Sequence, residues 1–243
     1  MKKATSKFLI LASTTCLLTA CGGGGTTNGG EIASIPCYDN LLDATNVTYR
    51  LSYAGTDASG SFTESVAGEV TPNADLNNHT ELLSRTEKVA FIRNDSPTLA
   101  SWTDISYFQA RPHQLPIEYE SRAFLQTFQT IVRYEPPYED NRANLAIGQS
   151  ETYIARGSRQ AGTGDSSAWE PYYRESQVVY VGQENIQVPA GVYRACRYEA
   201  KSSDASMTTT WVQRGIVIKS IIGDATRSLT SVQVNGQPLQ LLQ

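Results

Sequence analysis

Gln187-Val188-Pro189-Ala190-Gly191-Val192-Tyr193-Arg194-Ala195-Cys196 decides the fold class. Its Pro-Ala-Gly triplet is a tight turn, because Pro suits the second position of a type I turn and Gly the fourth. Asn185 to Val188 leads into the turn. Val192 to Ala200 returns, with Val192, Arg194, Cys196, Tyr198 and Ala200 on one face. A period of two over such a length is the pattern of a half-buried strand. Gln177 to Val181 precedes it, so Gly182 either separates two strands or bends one. Downstream, Thr208 to Gln213 and Gly215 to Ile222 form another pair. Ser228 to Val234 runs into Asn235-Gly236, a strong hairpin signal.

Strand patterns extend toward the N-terminus. Val47, Tyr49, Leu51 and Tyr53 alternate with Thr48, Arg50 and Ser52, and Gly55 to Gly60 is a turn cluster. Phe62 to Val70 is a second run, ending at Pro72. Leu82 to Ile92 is a third. Trp102, Ile105, Tyr107 and Phe108 lie in a fourth, ended by Arg111-Pro112. Ile117 to Tyr134 carries two patterns. Phe124, Leu125, Phe128, Ile131 and Val132 fit a helical stripe, while Phe124, Phe128, Val132 and Tyr134 share a strand parity. The β-branched residues there and the neighbouring strands favour strand over residues 120–134, with helix as the alternative. Pro136-Pro137 closes this run. A further strand is expected around Thr152 to Ala155. Arg156 to Ser167, rich in Gly and Ser, reads as a mobile loop. Asp39 to Ala44 suits a short helical turn. The expected fold is mostly β: a single antiparallel meander domain of about ten strands over residues 31–243, with few short helices. Its shape would be a curved sheet, half-barrel or barrel.

The first thirty residues read differently. Lys2, Lys3 and Lys7 precede an apolar core from Phe8 to Leu18, the layout of a secretory signal. About eleven residues are too few to cross a bilayer, which takes about 20. Leu18-Thr19-Ala20-Cys21 resembles the lipobox of the signal-peptidase-II lipoprotein class. The resemblance implies a signal peptide over 1–20 and a diacylglycerol thioether on Cys21. In Gram-negatives it further implies an acylated amine, so that palmitate-type chains hold the protein to the membrane. Two or three chains anchor stably where one does not. Gly22 rather than Asp follows the cysteine, which in that class favours the outer membrane, here with the body facing the periplasm. Residues 21–30 then form the lipidated Cys and a Gly-rich tether, whose coil has a reach of about 15–18 Å.

Removal of the signal costs three lysines and no acid, which leaves 17 basic against 24 acidic residues. That balance argues against nucleic acid as a partner. Of four cysteines, Cys16 leaves with the signal and Cys21 takes the lipid. Cys37 and Cys196 remain in an oxidising compartment and read as one disulfide; the alternative is two free buried thiols. Catalytic patterns are missing. No G-x-S-x-G occurs, and His79 and His113 stand in turn-like contexts without a partner motif. Two histidines give no zinc set, no EF-hand spacing occurs, and no cofactor is implied. Glu118 and Glu120, two apart, would share a strand face, and such a pair could flank a sugar; a solvated strand face explains them equally.

Two segments of the body are similar to a pair of motifs found in poorly characterised Gram-negative periplasmic proteins and lipoproteins. One is the V-P-A-G-aromatic hairpin at Val188 to Val192 and Tyr193, followed by Arg197. The other is Trp211 with Gly215-Ile216-Val217-Ile218-Lys219. The family often has Pro-Gly where Gln213-Arg214 stand here. The resemblance implies a curved antiparallel sheet similar to the half-barrels of lipoprotein carriers, and it brings no catalytic residues. A concave sheet would offer Trp102, Tyr107 and Trp211 to an apolar ligand or acyl chain; alternatively they simply pack on a half-exposed sheet. The expected role is non-enzymatic: an envelope lipoprotein binding an apolar ligand, or a tethered structural or interaction protein that contacts an envelope protein through a sheet edge. A hydrolase is the third reading.

Overall fold

A computed structural model describes residues 37–76, 79–94, 99–112, 114–163, 167–203 and 206–241. The signal, Cys21, the tether and His113 lie outside the described residues. The described chain is one antiparallel meander. Its strands are β1 (Thr48–Asp57), β2 (Gly60–Leu76), β3 (His79–Arg93), β4 (Leu99–Arg111), β5 (Gln114–Leu125), β6 (Phe128–Tyr138), β7 (Ser150–Thr163), β8 (Trp169–Val188), β9 (Gly191–Ser202), β10 (Met207–Gln213), β11 (Ile216–Ile222), β12 (Ala225–Val234) and β13 (Gln237–Pro238). Each pairs with the next, and β1 also pairs with β12 from Tyr49↔Val234 to Thr56↔Thr226. That last ladder closes twelve strands into a barrel and selects among the three expected shapes. Closure gives both backbone edges of β1 a partner, which an open sheet would leave exposed.

Alternation places the side chains. Tyr49, Leu51 and Tyr53 of β1 are buried, as are Phe62, Glu64, Val66 and Val70 of β2. Register puts Leu51 beside Val66 and Tyr53 beside Glu64. Tyr49 faces Gly68, and its ring fills the space a side chain would take: a Cβ on Gly68 would lie 2.0 Å from that ring. A strand glycine covered by a facing aromatic keeps the sheet packed where its own side chain is missing.

The structure revises several expected boundaries. Residues 114–138 are a hairpin, β5 and β6, turning at Gln126 with φ 54°; strand wins over helix there. β2 continues past Pro72 to Leu76 through irregular pairing after Thr71. β6 continues through Pro136-Pro137, with a cis bond before Pro136. Residues 169–188 are one strand, bent at Gly182. The glycine-rich stretch read as a mobile loop is strand to Thr163. Gly157 (φ 150°) lets β7 lie so close to β6 that a Cβ would be 1.9 Å from the Arg133 carbonyl oxygen. Its glycine serves close approach rather than mobility.

The segment before β1 crosses the barrel. Cys37 forms a disulfide with Cys196 on β9 (Cα–Cα 5.5 Å), within the usual span for such a bridge. Gly215 N–H donates to the Cys37 carbonyl (2.9 Å), and Arg214 Nε donates to Asp39 (2.5 Å). Six residues after Cys37, Asp43 pairs with Arg85 on β3. β9 and β3 stand on opposite sides of the twelve-strand ring. Tyr38, Leu42 and Asp43 are buried along the way, around a short 3-10 turn at Asn40–Leu42. This segment is therefore a stopper pinned to opposite walls.

The V-P-A-G hairpin is a second closing device. β8 and β9 pair out to Val188↔Gly191, but β9 pairs with β10 only between Cys196 and Lys201. The hairpin tip thus extends beyond β10 as an arm. Ala190 N–H donates to the Leu229 carbonyl of β12 (3.1 Å), and Tyr193 hydroxyl donates to the Ala190 carbonyl (2.6 Å). β11 and β12 pair only from Lys219↔Ser228 to Ile222↔Ala225. The arm reaches β12 just beyond the end of that ladder. Val188, Tyr193 and Ala195 join Ile216, Ile218 and Leu229 in one apolar cluster, each large side chain worth about 1.5–3 kcal/mol of burial. Both segments of the family resemblance therefore serve one structural task, sealing the seam.

Candidate functional site

The barrel interior holds buried charges beside its apolar side chains. Arg85, 2 % exposed, pairs with Asp43, 5 % exposed, and its guanidinium lies 4.9 Å from the Phe108 ring centroid. Tyr49 hydroxyl donates to Glu87, which is also buried. Burial pushes the Asp43 carboxyl up, against the opposing pull of Arg85. Burial likewise raises the Tyr49 hydroxyl well above its usual range, and the Glu87 charge adds to this. A second group lies in the same wall: Arg227 Nη1 donates to Glu64 (2.6 Å) and stacks 4.3 Å over the Tyr53 ring. Burial works against the Arg227 charge, yet the neighbouring Glu64 carboxylate holds the guanidinium protonated. A third pair, Asp140 and Arg142, is buried beside Tyr153.

Glu118 belongs to this interior. Burial raises its carboxyl to about 7, more than Arg85 lowers it; Asp43, Asp140 and Glu87 push the same way as burial. The folded acid keeps its proton up to that pH, while the unfolded one releases it near 4.5. Between those values the folded state binds more protons, so this group's contribution to stability falls as pH rises from about 4.5 to about 7. Glu118→Gln should remove that slope. Melting temperatures of parent and variant across the window are the check, and parallel curves would refute the assignment.

Glu118 and Glu120 do not share a face. Adjacent Tyr107 and Phe108 of β4 pair with Glu120 and Glu118 of β5, so Tyr119 is an extra residue on β5. Such a bulge flips everything beyond it. Glu118 points with Phe108 into the barrel, and Glu120 lies on the outer wall. The two carboxylates cannot flank one sugar ring. His79 packs on the Tyr119 ring (4.5 Å between centroids), and among the described residues no group of His, Cys, Asp and Glu could hold a metal.

The aromatic candidates divide between the interior and the outer face. Trp102 points inward and its Nε1 donates to Asp104 (2.9 Å). Tyr107, on the opposite parity of β4, faces outward under Arg122, whose guanidinium lies 4.9 Å from its ring centroid. Trp211 sits on β10, across the ring. Its Nε1 donates to Glu184, and Arg197 and Lys219 lie 5.6 and 5.4 Å from its centroid. Trp211 belongs to the main apolar cluster and Trp102 packs against the same cluster, whereas Tyr107 faces away from it. What sequence reading missed is the outer-wall cluster on Glu120: Arg122 Nε donates to one of its oxygens (2.5 Å) and Arg133 Nε to the other (2.6 Å). Arg133 comes from β6, so only the register could reveal it. A shallow open depression of about 200 Å³ lies elsewhere, between Ser52, Thr63, Ala90 and Thr230.

No known family profile matches the chain, and no curated protein matches it in sequence. Two crystal structures are similar in shape. One is a candidate lipoprotein from Parabacteroides distasonis ATCC 8503, 9 % identical, with a TM-score of 0.42 over 81 % of this chain and 99 % of its own. The other is a candidate exported protein with a YmcC-like fold from Bacteroides fragilis NCTC 9343, 10 % identical, with a TM-score of 0.43 over 90 % of this chain and 100 % of its own. Likeness at that level carries no argument about function.

Proposed function

We propose that this chain is a lipid-anchored envelope protein, tethered to the outer membrane through Cys21 and facing the periplasm, which works through its barrel's outer wall as a non-enzymatic interaction protein. The lipobox and Gly22 support the anchor. The observation that favours interaction over carriage of an acyl chain is the set of charges inside: Asp43, Glu64, Arg85 and Glu87 are buried there, Asp43 paired with Arg85, Glu64 with the partly exposed Arg227, and Glu87 with the Tyr49 hydroxyl. An acyl chain placed against them would have to displace partners or water from charged groups, at several kcal/mol each. The stopper from Cys37 to Val47 further occupies the space.

Closure gives β1 and β12 each other as partners, so among the described residues strand addition is left with stretches whose ladders stop short. These include residues 150–156 of β7 on its β6 side, residues 191–195 of β9 on its β10 side, and the two residues of β13. Wall side chains offer a further contact surface. Ile154, Trp169 and Tyr173 are exposed on the outer face of β7 and β8, each paired with a polar residue: Glu175, Gln160 and Arg156. Native mass spectrometry of the full chain tests this reading; it should show no non-covalently bound lipid.

A further inference from the structure

Glu120 has no exposed side-chain surface although it lies on the outer wall, because Arg122 and Arg133 close over it. Each arginine gives its Nε–H to a different oxygen of that carboxylate. Each guanidinium also stacks on a ring: Arg122 on Tyr107 at 4.9 Å, and Arg133 on Trp169 at 4.3 Å. The side chains remain 29 % and 42 % exposed. No described residue accepts a hydrogen bond from their Nη groups. Two guanidinium forks are thus fixed side by side, with their Nη edges directed to solvent. One buried carboxylate against two guanidiniums leaves one positive charge.

That arrangement is more than a surface ion pair. Long exposed side chains ordinarily lose much of any contact energy to the entropy of being held. Here that ordering is already supplied by the shared carboxylate and the stacked rings. Planar forks match the oxygens of a phosphate group in a way a lysine ammonium does not. We propose that Arg122 and Arg133, seated on Glu120, form a binding site for a phosphate group on the outer wall between β4 and β8, with Trp169 and Tyr107 as its flanks. The group could belong to a lipid headgroup or to free phosphate. The proposal rests on the reading of the wall as the working surface.

The test is a titration of the full chain, in non-ionic micelles, with inorganic phosphate. The readouts are the Arg Nε and Trp Nε1 NMR signals, with Trp169→Phe assigning the Trp169 peak. Saturable shifts confined to Arg122, Arg133 and Trp169 are expected. Arg122→Lys with Arg133→Lys, which keeps the charge but loses the forks, should weaken binding about tenfold or more. Arg133→Gln alone should do the same. Unaltered affinity in the lysine double variant would overturn the proposal, since diffuse charge would then suffice. So would the lack of any saturable shift in the parent. Should the arginine variants unfold, Trp169→Phe reports through Arg133 Nε: its phosphate shift should shrink, and a full-size saturable shift would also overturn the site. Competition by sn-glycerol 3-phosphate supports a phosphomonoester, and its failure to compete with bound phosphate overturns a site open to solvent. Micelles doped with phosphatidylglycerol should shift the same signals if the source is a headgroup; free phosphate is the source if they do not. This titration reads the wall alone, whereas native mass reads the interior, so the two proposals fail separately.

Discussion

Arg85→Met should cost about 3–5 kcal/mol of stability, the largest effect expected of a single substitution here. Arg85 and Asp43 are nearly inaccessible, and Glu87 and Glu118 lie in the same enclosed region. Burial opposes the Arg85 charge, but Asp43, Tyr49 and Glu87 hold the guanidinium firmly protonated. Without it, Asp43 has no cation left among its described contacts and must either stay charged without a partner or take up a proton. Urea unfolding followed by far-UV circular dichroism measures the loss. Asp43→Leu combined with Arg85→Met should recover a substantial part, because removing both charges avoids the orphaned one. A single variant within about 1 kcal/mol of the parent would mean that the pair is solvated and the interior open to water.

The second large effect concerns the disulfide. Cys37 and Cys196 are separated by 159 residues in sequence. A loop of that length gives about 5 kcal/mol by the chain-entropy argument, and measured losses are commonly about 2–5. Cys37→Ala with Cys196→Ala should therefore lower stability by that amount. It should also speed amide exchange in residues 37–47, because the stopper then loses its covalent tie and is held by the Asp43–Arg85 and Arg214–Asp39 pairs and by backbone bonds to Gly215 and Val70. The bridge and the Asp43–Arg85 pair pin one short segment, so their losses should be less than additive. Maleimide labelling of the unreduced parent after unfolding should find neither thiol free. Full labelling of both would refute the bridge.

The parts of this fold that sequence revealed are local. Asn235-Gly236 and Pro189-Ala190-Gly191 dictate their turns through backbone chemistry. Alternation in Thr48–Asp57 and Val192 to Ala200 dictates strands. The Cys37–Cys196 bridge followed from counting cysteines in an oxidising compartment. What was hidden depends on pairing between distant residues. Gln126-Thr127 contains no Gly, Asn or Pro, so the β5–β6 turn gave no signal. Gly157 looks like loop chemistry until Arg133 is known to lie against it. Barrel closure needs β1 beside β12, some 180 residues apart in the chain. The bulge at Tyr119 has no signature of its own, yet it decides that Glu118 is an interior acid and Glu120 the seat of two surface arginines. Aromatic content alone likewise could not show that Trp102 and Tyr107 face opposite ways or that Trp102 and Trp211 join one apolar cluster from strands across the ring.

The measurement closest to the central claim is native mass spectrometry of the full chain, taken from envelopes and released from detergent in the gas phase. The account predicts a mass equal to the polypeptide plus whatever is covalently attached at Cys21, unchanged by organic extraction. A further acyl-lipid mass that extraction removes, and that Trp102→Ala diminishes, would place a ligand among the buried charges and contradict the reading of a stoppered barrel that works through its outer wall.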